Sequence, residues 1–235
     1  GVNQVGKGLK TQVEFISANP TGPLTLGNGR GAFTGDTLSK VLTLSGFDIE
    51  REYYLNDRGN QVEILGKSVL NQVLLEKGEK GLEGDEFYKG EYIKELAKDF
   101  TAVKNSKEDL AAVTEATLKK LISQSKSLVT EKLRVDFDVW FSESSMYQEN
   151  LQIEVLKILT EKKLTYETEG SIWFKSTKFG DDKDRVLVKA DGEYTYFLSD
   201  IIHKAYLAAP KFDKLILLLG ADHHGYQARL QAAME

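Results

Sequence analysis

The sequence predicts an α/β protein with a parallel sheet. A strand-like run at residues 11–17 leads into a helix-like stretch from about Gly27 to Ser45, and a second strand-like run follows at 48–55. Strand, helix and strand in about 45 residues form a βαβ unit, whose ligands collect at the carboxyl ends of its strands. A predicted helix at 199–209 and an apolar run at 215–219 return the chain to the same sheet.

The middle of the chain departs from this alternation. Apolar residues follow helical spacing at 58–77 and 86–132, and then alternate as strands at 164–176 and 186–197. Glu169-Gly170 and Asp191-Gly192 predict the turns of two hairpins, and residues 180–185 predict an exposed charged loop. We therefore divide the chain into a first half-domain (1–57), a helical and then hairpin insertion (58–185) and a second half-domain (186–235).

Composition sets limits on function. The 235 residues contain 41% hydrophobic residues and no cysteine, and their net charge is −5. This composition excludes disulfide frameworks and thiolate metal sites, and it disfavours nucleic-acid binding by bulk charge. The longest apolar run is too short to cross a membrane, so we expect a cytoplasmic protein. The chain opens on Gly1 and stops inside an apparent helix, 226–235, which indicates a fragment truncated at its C-terminus.

The stretch Asn19-Pro20-Thr21-Gly22-Pro23-Leu24-Thr25-Leu26-Gly27-Asn28, here called the signature loop, joins the first predicted strand to the first helix. A helix N-terminus presents unpaired N–H groups and a positive dipole end, and glycine lets a phosphate approach closely. The loop therefore predicts a nucleotide-binding turn. The alternative is a strand-to-helix turn that binds nothing.

Residues 13–24, with Gly27 and Gly29-Arg30-Gly31, resemble the first active-site motif of class I arginyl-tRNA synthetases. Further resemblance lies in 194–200 and in Gly220-Ala221-Asp222-His223-His224-Gly225-Tyr226, and it extends over essentially the whole chain. In that family the motif continues His-x-Gly-His, where this chain has Thr25-Leu26-Gly27-Asn28. Both histidines are thus replaced by residues that still donate hydrogen bonds.

The resemblance implies a Rossmann-like catalytic domain that activates L-arginine with ATP to arginyl-adenylate and transfers it to tRNA(Arg), as a monomer. Adenylate formation depends on placement and charge neutralisation more than on acid–base chemistry. By resemblance, the catalytic residues are Thr25 and Asn28, and the ATP-binding residues are Pro23, Thr25, Gly27, Asn28, Gly220, Asp222 and His223. By resemblance also, the arginine-binding residues are Glu14, Ser17, Asn19, Tyr196, Asp200 and Asp222.

The chemistry of the ligand supports this choice of residues. A guanidinium is planar, permanently charged and rich in donors, so its pocket needs a carboxylate and a neutral acceptor. Asp200 and Tyr196 stand four residues apart at the start of a predicted helix. Each also has a structural alternative: Asp200 as a charge at a helix N-terminus, Tyr196 as a core aromatic, and Glu14 as a solvated edge residue.

Two weaker patterns are set aside. Asp222-His223-His224 has the residue types of a metal site, but adjacent residues leaving a strand point to different faces and no second His or Cys cluster exists. We expect Mg²⁺ to accompany ATP, with no dedicated protein site. Residues 104–108 resemble a phosphate-gripping lysine–serine loop of the family, but they lie within a charged helical stretch, and a solvated helix surface is the favoured interpretation.

Two other functions compete with a synthetase. One is a degenerate synthetase-like module that binds arginine or a partner without catalysis. The other is a different adenylyl-transferring enzyme on the same fold, acting without tRNA.

Overall fold

The computed structural model describes residues 4–84, 86–104, 107–220 and 226–235. These residues form two compact units. One contains the residues up to Ile16, Gly35–Tyr53 and Phe137–Glu235, and the other contains Ser17–Thr34 and Tyr54–Asp136. The domain boundaries drawn from the sequence stay a prediction.

The first unit is built on a four-stranded sheet in the order β3-β2-β1-β7, formed by β1 (Lys10–Glu14), β2 (Asp48–Leu55), β3 (Val139–Ser142) and β7 (Lys214–Leu217). The central strand β1 is parallel to both β2 and β7, with Glu14 opposite Glu52 on one side and Leu217 on the other. The predicted α/β fold with a parallel sheet is confirmed. Strand β1 ends before the predicted residue 17, because Ile16 and Ser17 have positive φ angles of 68° and 41°.

Helix α1 (Leu26–Leu44) connects β1 to β2, within one residue of its predicted limits at each end. Its Gly35 lies directly against the Phe15 ring: a Cβ at this position would stand 2.2 Å from the ring carbon Cγ. The helix is followed by Gly46 at φ 87°, a left-handed C-terminal residue that glycine adopts without strain.

The second unit is helical. Helices α2 (Asn60–Glu76), α3 (Glu91–Ala97) and α4 (Lys107–Ser127) enclose an apolar core that includes Leu65, Val69, Ile93, Leu96, Val113 and Leu121. The predicted stretch 86–132 is therefore several segments, with a 3₁₀ turn at Lys98–Phe100 and a π turn at Leu128–Lys132.

The rest of the first unit begins with α5 (Glu143–Gln148) and α6 (Leu151–Glu161), separated at Asn150, whose φ is 59°. An antiparallel sheet follows, of β4 (Thr165–Thr168), β5 (Ser171–Phe174) and β6 (Arg185–Val188). The Glu169-Gly170 turn is confirmed, with both residues at positive φ. The second predicted hairpin is reduced to one bridge between Val188 and Tyr194, because the chain enters a helix at Tyr196.

The loop at residues 180–185 was predicted to be exposed, and this is wrong for two of its charges. Arg185 donates from Nε and Nη2 to the carboxylate of Asp181 at 2.7 and 2.6 Å, and the Asp181 side chain is buried. The guanidinium holds the pKa of Asp181 well below its usual range. This ion pair fixes the entry to β6.

The chain then forms α7 (Tyr196–Asp200), which continues directly into a π-helix at Ile201–Ala208, and α8 (Gln227–Met234) lies near the end. Within the described residues, no helix combines the length and the apolar character needed to cross a bilayer.

Candidate functional site

A group of buried charged residues lies in the first unit where β1 and β2 carry Glu14 and Glu52. We call it the charge cluster; its members are Glu14, Glu52, Glu143, Asp200, His203 and Lys204. The Lys204 ammonium, on the π-helix, forms an ion pair with Glu14, and both side chains are nearly inaccessible to water. The sequence alternative that made Glu14 a solvated edge residue is therefore wrong.

Asp200 lies in surroundings that disfavour its ionised form. The residue is half-buried, but its Oδ2 atom is inaccessible to water and accepts no hydrogen bond from the residues that the structure describes. Burial raises the pKa of Asp200 to about 8; Glu14 and Glu143 add to the rise, while Lys204 and Arg229 oppose it. The Asp200 carboxyl group is therefore protonated at neutral pH.

Glu52 and His203 form the second pair of the cluster. His203 Nε2 lies 3.0 Å from Glu52 Oε1, and Gln12 Nε2 donates to Glu52 Oε2 at 3.0 Å. Burial, with the nearby Lys204 charge, lowers the pKa of His203 to about 3, so the imidazole is neutral; burial raises the pKa of Glu52 to about 6. At pH 7 the 3.0 Å contact therefore joins a neutral imidazole and a carboxylate, and it is not a salt bridge.

Glu14, Glu52 and His203 have ligand atoms within 4.8 Å of one another, as a metal site requires. The Lys204 ammonium already neutralises Glu14, so a divalent cation would stand beside a positive charge. The Lys204 charge therefore disfavours a metal ion at this position.

Glu143 is positioned by a short relay of hydroxyl groups. Ser199 Oγ donates to Glu143 Oε1 at 2.8 Å, and the Tyr147 hydroxyl lies 2.8 Å from the same Ser199 oxygen. These contacts hold a third carboxylate near Asp200, where its charge disfavours ionisation of Asp200.

Tyr196 begins the helical turn that Asp200 ends, as their spacing predicted. It is 54% exposed, so its sequence alternative as a core aromatic is wrong. The structure places Glu14, Tyr196 and Asp200 in the same unit, with Glu14 and Asp200 close enough for their charges to interact.

Ser17 and Asn19, also predicted to bind arginine, belong to the second unit. The Ser17 hydroxyl accepts a hydrogen bond from the backbone N–H of Tyr54 at 3.1 Å, and Asn19 is exposed. Ser17 therefore helps to fix the chain after β1 as it turns into the signature loop.

The signature loop ends in a reciprocal helix cap. Thr25 precedes the first residue of α1, and its Oγ1 accepts from the backbone N–H of Asn28 at 3.3 Å. In return, Asn28 Oδ1 accepts from the backbone N–H and from the hydroxyl of Thr25, both at 2.8 Å. This is a capping box in which asparagine takes the place of glutamate or glutamine. It uses the carbonyl oxygen of the Asn28 amide.

The other residues predicted to bind ATP lie at exposed positions or outside the described residues. Pro23 and Gly27 are exposed, and a Cβ on Gly27 would meet only Thr25 Oγ1, at 3.5 Å. Gly220 is exposed beyond the end of β7. Asp222 and His223 lie outside the described residues, as do Asn105 and Ser106 of the lysine–serine sequence.

A family model of class I tRNA synthetases, described as the (R) catalytic domain, matches residues 2–234. The chain belongs to the class I arginyl-tRNA synthetase catalytic-domain family. An arginine–tRNA ligase of Solidesulfovibrio magneticus is 45% identical over 240 residues, and one of Bacillus subtilis is 45% identical over 242. All of this chain is covered in both alignments, with 44% and 43% of the respective relatives, so the chain spans less than half of their length.

Solved structures agree with this assignment. A Campylobacter jejuni structure assigned as an arginyl-tRNA synthetase superposes with a TM-score of 0.87 at 38% identity, covering 99% of this chain and 52% of that one. The arginyl-tRNA synthetase of Thermus thermophilus shares the fold, with a TM-score of 0.68 at 19% identity, covering 96% and 45%. The predicted class I synthetase fold is confirmed.

Sequence reasoning missed four members of the charge cluster: Glu52, Glu143, His203 and Lys204. A signal for two of them was present, because His203 and Lys204 follow Asp200 by three and four residues, the spacing that places helical side chains on one face. Glu52 and Glu143 come from distant parts of the chain, and only the sheet register and the Ser199 contact bring them in.

Proposed function

We propose that this chain is the catalytic domain in which L-arginine reacts with ATP to form arginyl-adenylate, which is then transferred to tRNA(Arg). The observation that carries the proposal is the buried Asp200 carboxyl group, which accepts no hydrogen bond at Oδ2 from the described residues and lies near two further carboxylates. A buried polar atom in this state is costly, and a guanidinium would supply both the missing donors and the missing charge.

In the proposed reaction, an oxygen of the arginine carboxylate attacks the α-phosphorus of ATP, and the bond to the leaving pyrophosphate breaks. Asp200 reads the guanidinium, with Tyr196 and Glu14 beside it and Lys204 balancing the Glu14 charge. Asn19 holds the α-amino group. The same region of the full protein would bind the acceptor end of tRNA(Arg).

We assign the phosphate contacts to Thr25, Asn28 and the N-terminus of α1. The helix N-terminus favours anions, and the reciprocal cap makes it rigid. Residues 17–34 contain no aspartate or glutamate, so Mg²⁺ would enter with the phosphate oxygens of ATP. Pro23, Gly27 and Gly220, with Asp222 and His223, complete the proposed ATP site.

The proposal also covers the cellular location, oligomeric state and domain organisation of the protein. We place it in the cytoplasm as a monomer, with half-domains at residues 1–57 and 186–235 and an insertion at 58–185. The absence of cysteine is consistent with a reducing compartment.

Arginine-dependent exchange of pyrophosphate into ATP tests the function. The intact protein is assayed with a panel of amino acids, with and without tRNA. Exchange that is selective for arginine supports the synthetase. Exchange that proceeds without any charging of tRNA supports another adenylyl transferase. Arginine binding without exchange, measured by calorimetry, would support the non-catalytic module. We expect the 235-residue chain alone to lack exchange activity.

A further inference from the structure

One side chain of the helical unit contacts the signature loop directly. The hydroxyl of Tyr92, in α3, donates a hydrogen bond to the backbone carbonyl of Thr21 at 3.1 Å. Its ring lies 3.6 Å from the position that a Cβ on Gly22 would occupy. Thr21, Gly22 and Tyr92 all belong to the second unit. A single aromatic residue therefore hydrogen-bonds to Thr21 and lies beside Gly22.

Tyr92 is itself held firmly. The residues that follow it, Ile93 and Leu96, are buried in the core shared with α2 and α4, and the Tyr92 ring packs against that core. Burial raises the pKa of the Tyr92 hydroxyl above its usual value, so the group stays protonated and remains a donor at physiological pH. The helical core thus provides a fixed point for the loop.

The far end of the loop is fixed independently. Pro20 is buried and Thr25 is bound into the cap with Asn28, so the residues between them are anchored on both sides. The contact with Tyr92 falls at the first of these residues, Thr21. Displacement of this point would move the backbone that leads to Gly27 and Asn28.

We propose that Tyr92 is a positioning residue for ATP: it orients the signature loop so that the N-terminus of α1 faces the phosphates. This inference rests on the proposed function. It gives the helical unit a role in nucleotide binding, through a residue that touches neither ATP nor arginine.

The test compares Tyr92→Phe with Tyr88→Phe in the intact protein. Tyr88 packs against the same helical core, so its variant controls for the loss of a tyrosine hydroxyl there. We expect Tyr92→Phe to raise the ATP KM about fivefold, the effect of one neutral hydrogen bond. The arginine KM and the thermal unfolding midpoint should match those of Tyr88→Phe. Calorimetry with a non-hydrolysable ATP analogue should show the same loss of affinity.

Other outcomes overturn the inference. An ATP KM unchanged in Tyr92→Phe, or an equal rise in Tyr88→Phe, would show that the hydroxyl does not orient the loop. A lowered unfolding midpoint with both substrate KM values unchanged would assign Tyr92 to stability alone. If the unmodified protein shows no arginine-dependent exchange, the proposed function fails, and analogue binding by the two variants still decides the role of Tyr92.

Discussion

The charge cluster and the signature loop hold their polar groups in opposite states. In the cluster, Asp200 has a buried oxygen that accepts no hydrogen bond from the described residues, and burial with two nearby carboxylates outweighs the opposing charges of Lys204 and Arg229. In the loop, Thr25 is exposed, Asn28 is partly exposed, and the two side chains already hydrogen-bond to each other. We expect the cluster to gain stability when a cationic ligand binds, whereas the capping groups of the loop satisfy each other without a ligand.

Burial and family pattern therefore identify different kinds of site. The cost of an unpaired buried carboxyl group points to a ligand on physical grounds alone. An exposed helix N-terminus points to phosphate only in combination with sequence resemblance, because every helix has such an end. The predictions below test each side of the comparison.

The largest expected effect is at Asp200. Replacement by asparagine should weaken arginine binding by about 2 to 4 kcal/mol, because a neutral amide cannot replace a charge-assisted contact to a guanidinium. Selectivity for arginine over citrulline should disappear with it. Isothermal calorimetry measures both, with Asp136→Asn, at an exposed position, as the matched control. Unchanged arginine affinity in Asp200→Asn would remove Asp200 from the site.

The pKa of Asp200 predicts a pH dependence of binding. With a pKa of about 8, the free carboxyl group carries a proton that a guanidinium must displace. Arginine affinity should therefore rise about tenfold per pH unit between pH 6.5 and 7.5 and level off above pH 8. The same raised pKa destabilises the folded state as the pH rises toward 8.

Calorimetry in two buffers with different ionisation enthalpies measures the released proton directly. The variant Asp200→Asn should lose this proton release. A flat affinity over this range in the unmodified protein would mean that Asp200 is already ionised, or that it does not contact arginine.

Asn28 separates capping from ligand binding in the loop. Aspartate at this position keeps the acceptor that caps Thr25 but replaces the NH₂ donor with negative charge. Asn28→Asp should weaken ATP binding by about tenfold through charge repulsion, while the unfolding midpoint stays equal or rises slightly, since a negative charge suits a helix N-terminus. Asn28→Ala, which loses both roles, should lower the midpoint. Equal ATP affinity in Asn28→Asp would exclude phosphate contact at this residue.

The smallest expected effect concerns two glycines of α1. Alanine at Gly27 would make one ordinary van der Waals contact, with Thr25 Oγ1, and alanine at Gly29 would meet nothing, so each replacement should stabilise the helix by about 0.5 kcal/mol. Only Gly27→Ala should also weaken ATP binding, since its new methyl group would stand where the nucleotide is proposed to lie. Chemical denaturation and ATP titration of the two variants give the comparison. Identical ATP affinities would place the nucleotide elsewhere.

Much of the fold followed from local patterns. The βαβ unit, the helical middle of the chain and the Glu169-Gly170 turn were predicted because periodicity and turn residues act over short distances. Two features were mispredicted. Apolar alternation at 186–197 indicated a strand, but Phe197 and Leu198 are buried in a helix that begins at Tyr196. The charged loop at 180–185 hides an ion pair because Asp181 and Arg185 lie close enough to neutralise each other.

Prediction of the site was limited in a different way. Glu14, Tyr196 and Asp200 were predicted by resemblance. The structure adds that Glu14 pairs with Lys204 and that Asp200 lies near Glu143, whereas Tyr196 is exposed. The capping box could have been predicted from the sequence, because Thr25 and Asn28 have its three-residue spacing. The pairing of Glu14 with Lys204 joins residues far apart in the chain, which no local pattern reports.

The π-helix at Ile201–Ala208 has a consequence for insertions and deletions in this chain. Its hydrogen bonds run across five residues, as from the Ala209 N–H to the Lys204 carbonyl, so each turn holds one residue more than an α-turn. A deletion of one residue here would restore an ordinary helix and keep the backbone hydrogen-bonded. It would also rotate His203 and Lys204 away from Glu52 and Glu14. The helix would keep its backbone hydrogen bonds, but the buried Glu14 would lose the counter-charge of Lys204, so we expect the deletion to cost stability as well as to change the charge that a ligand meets.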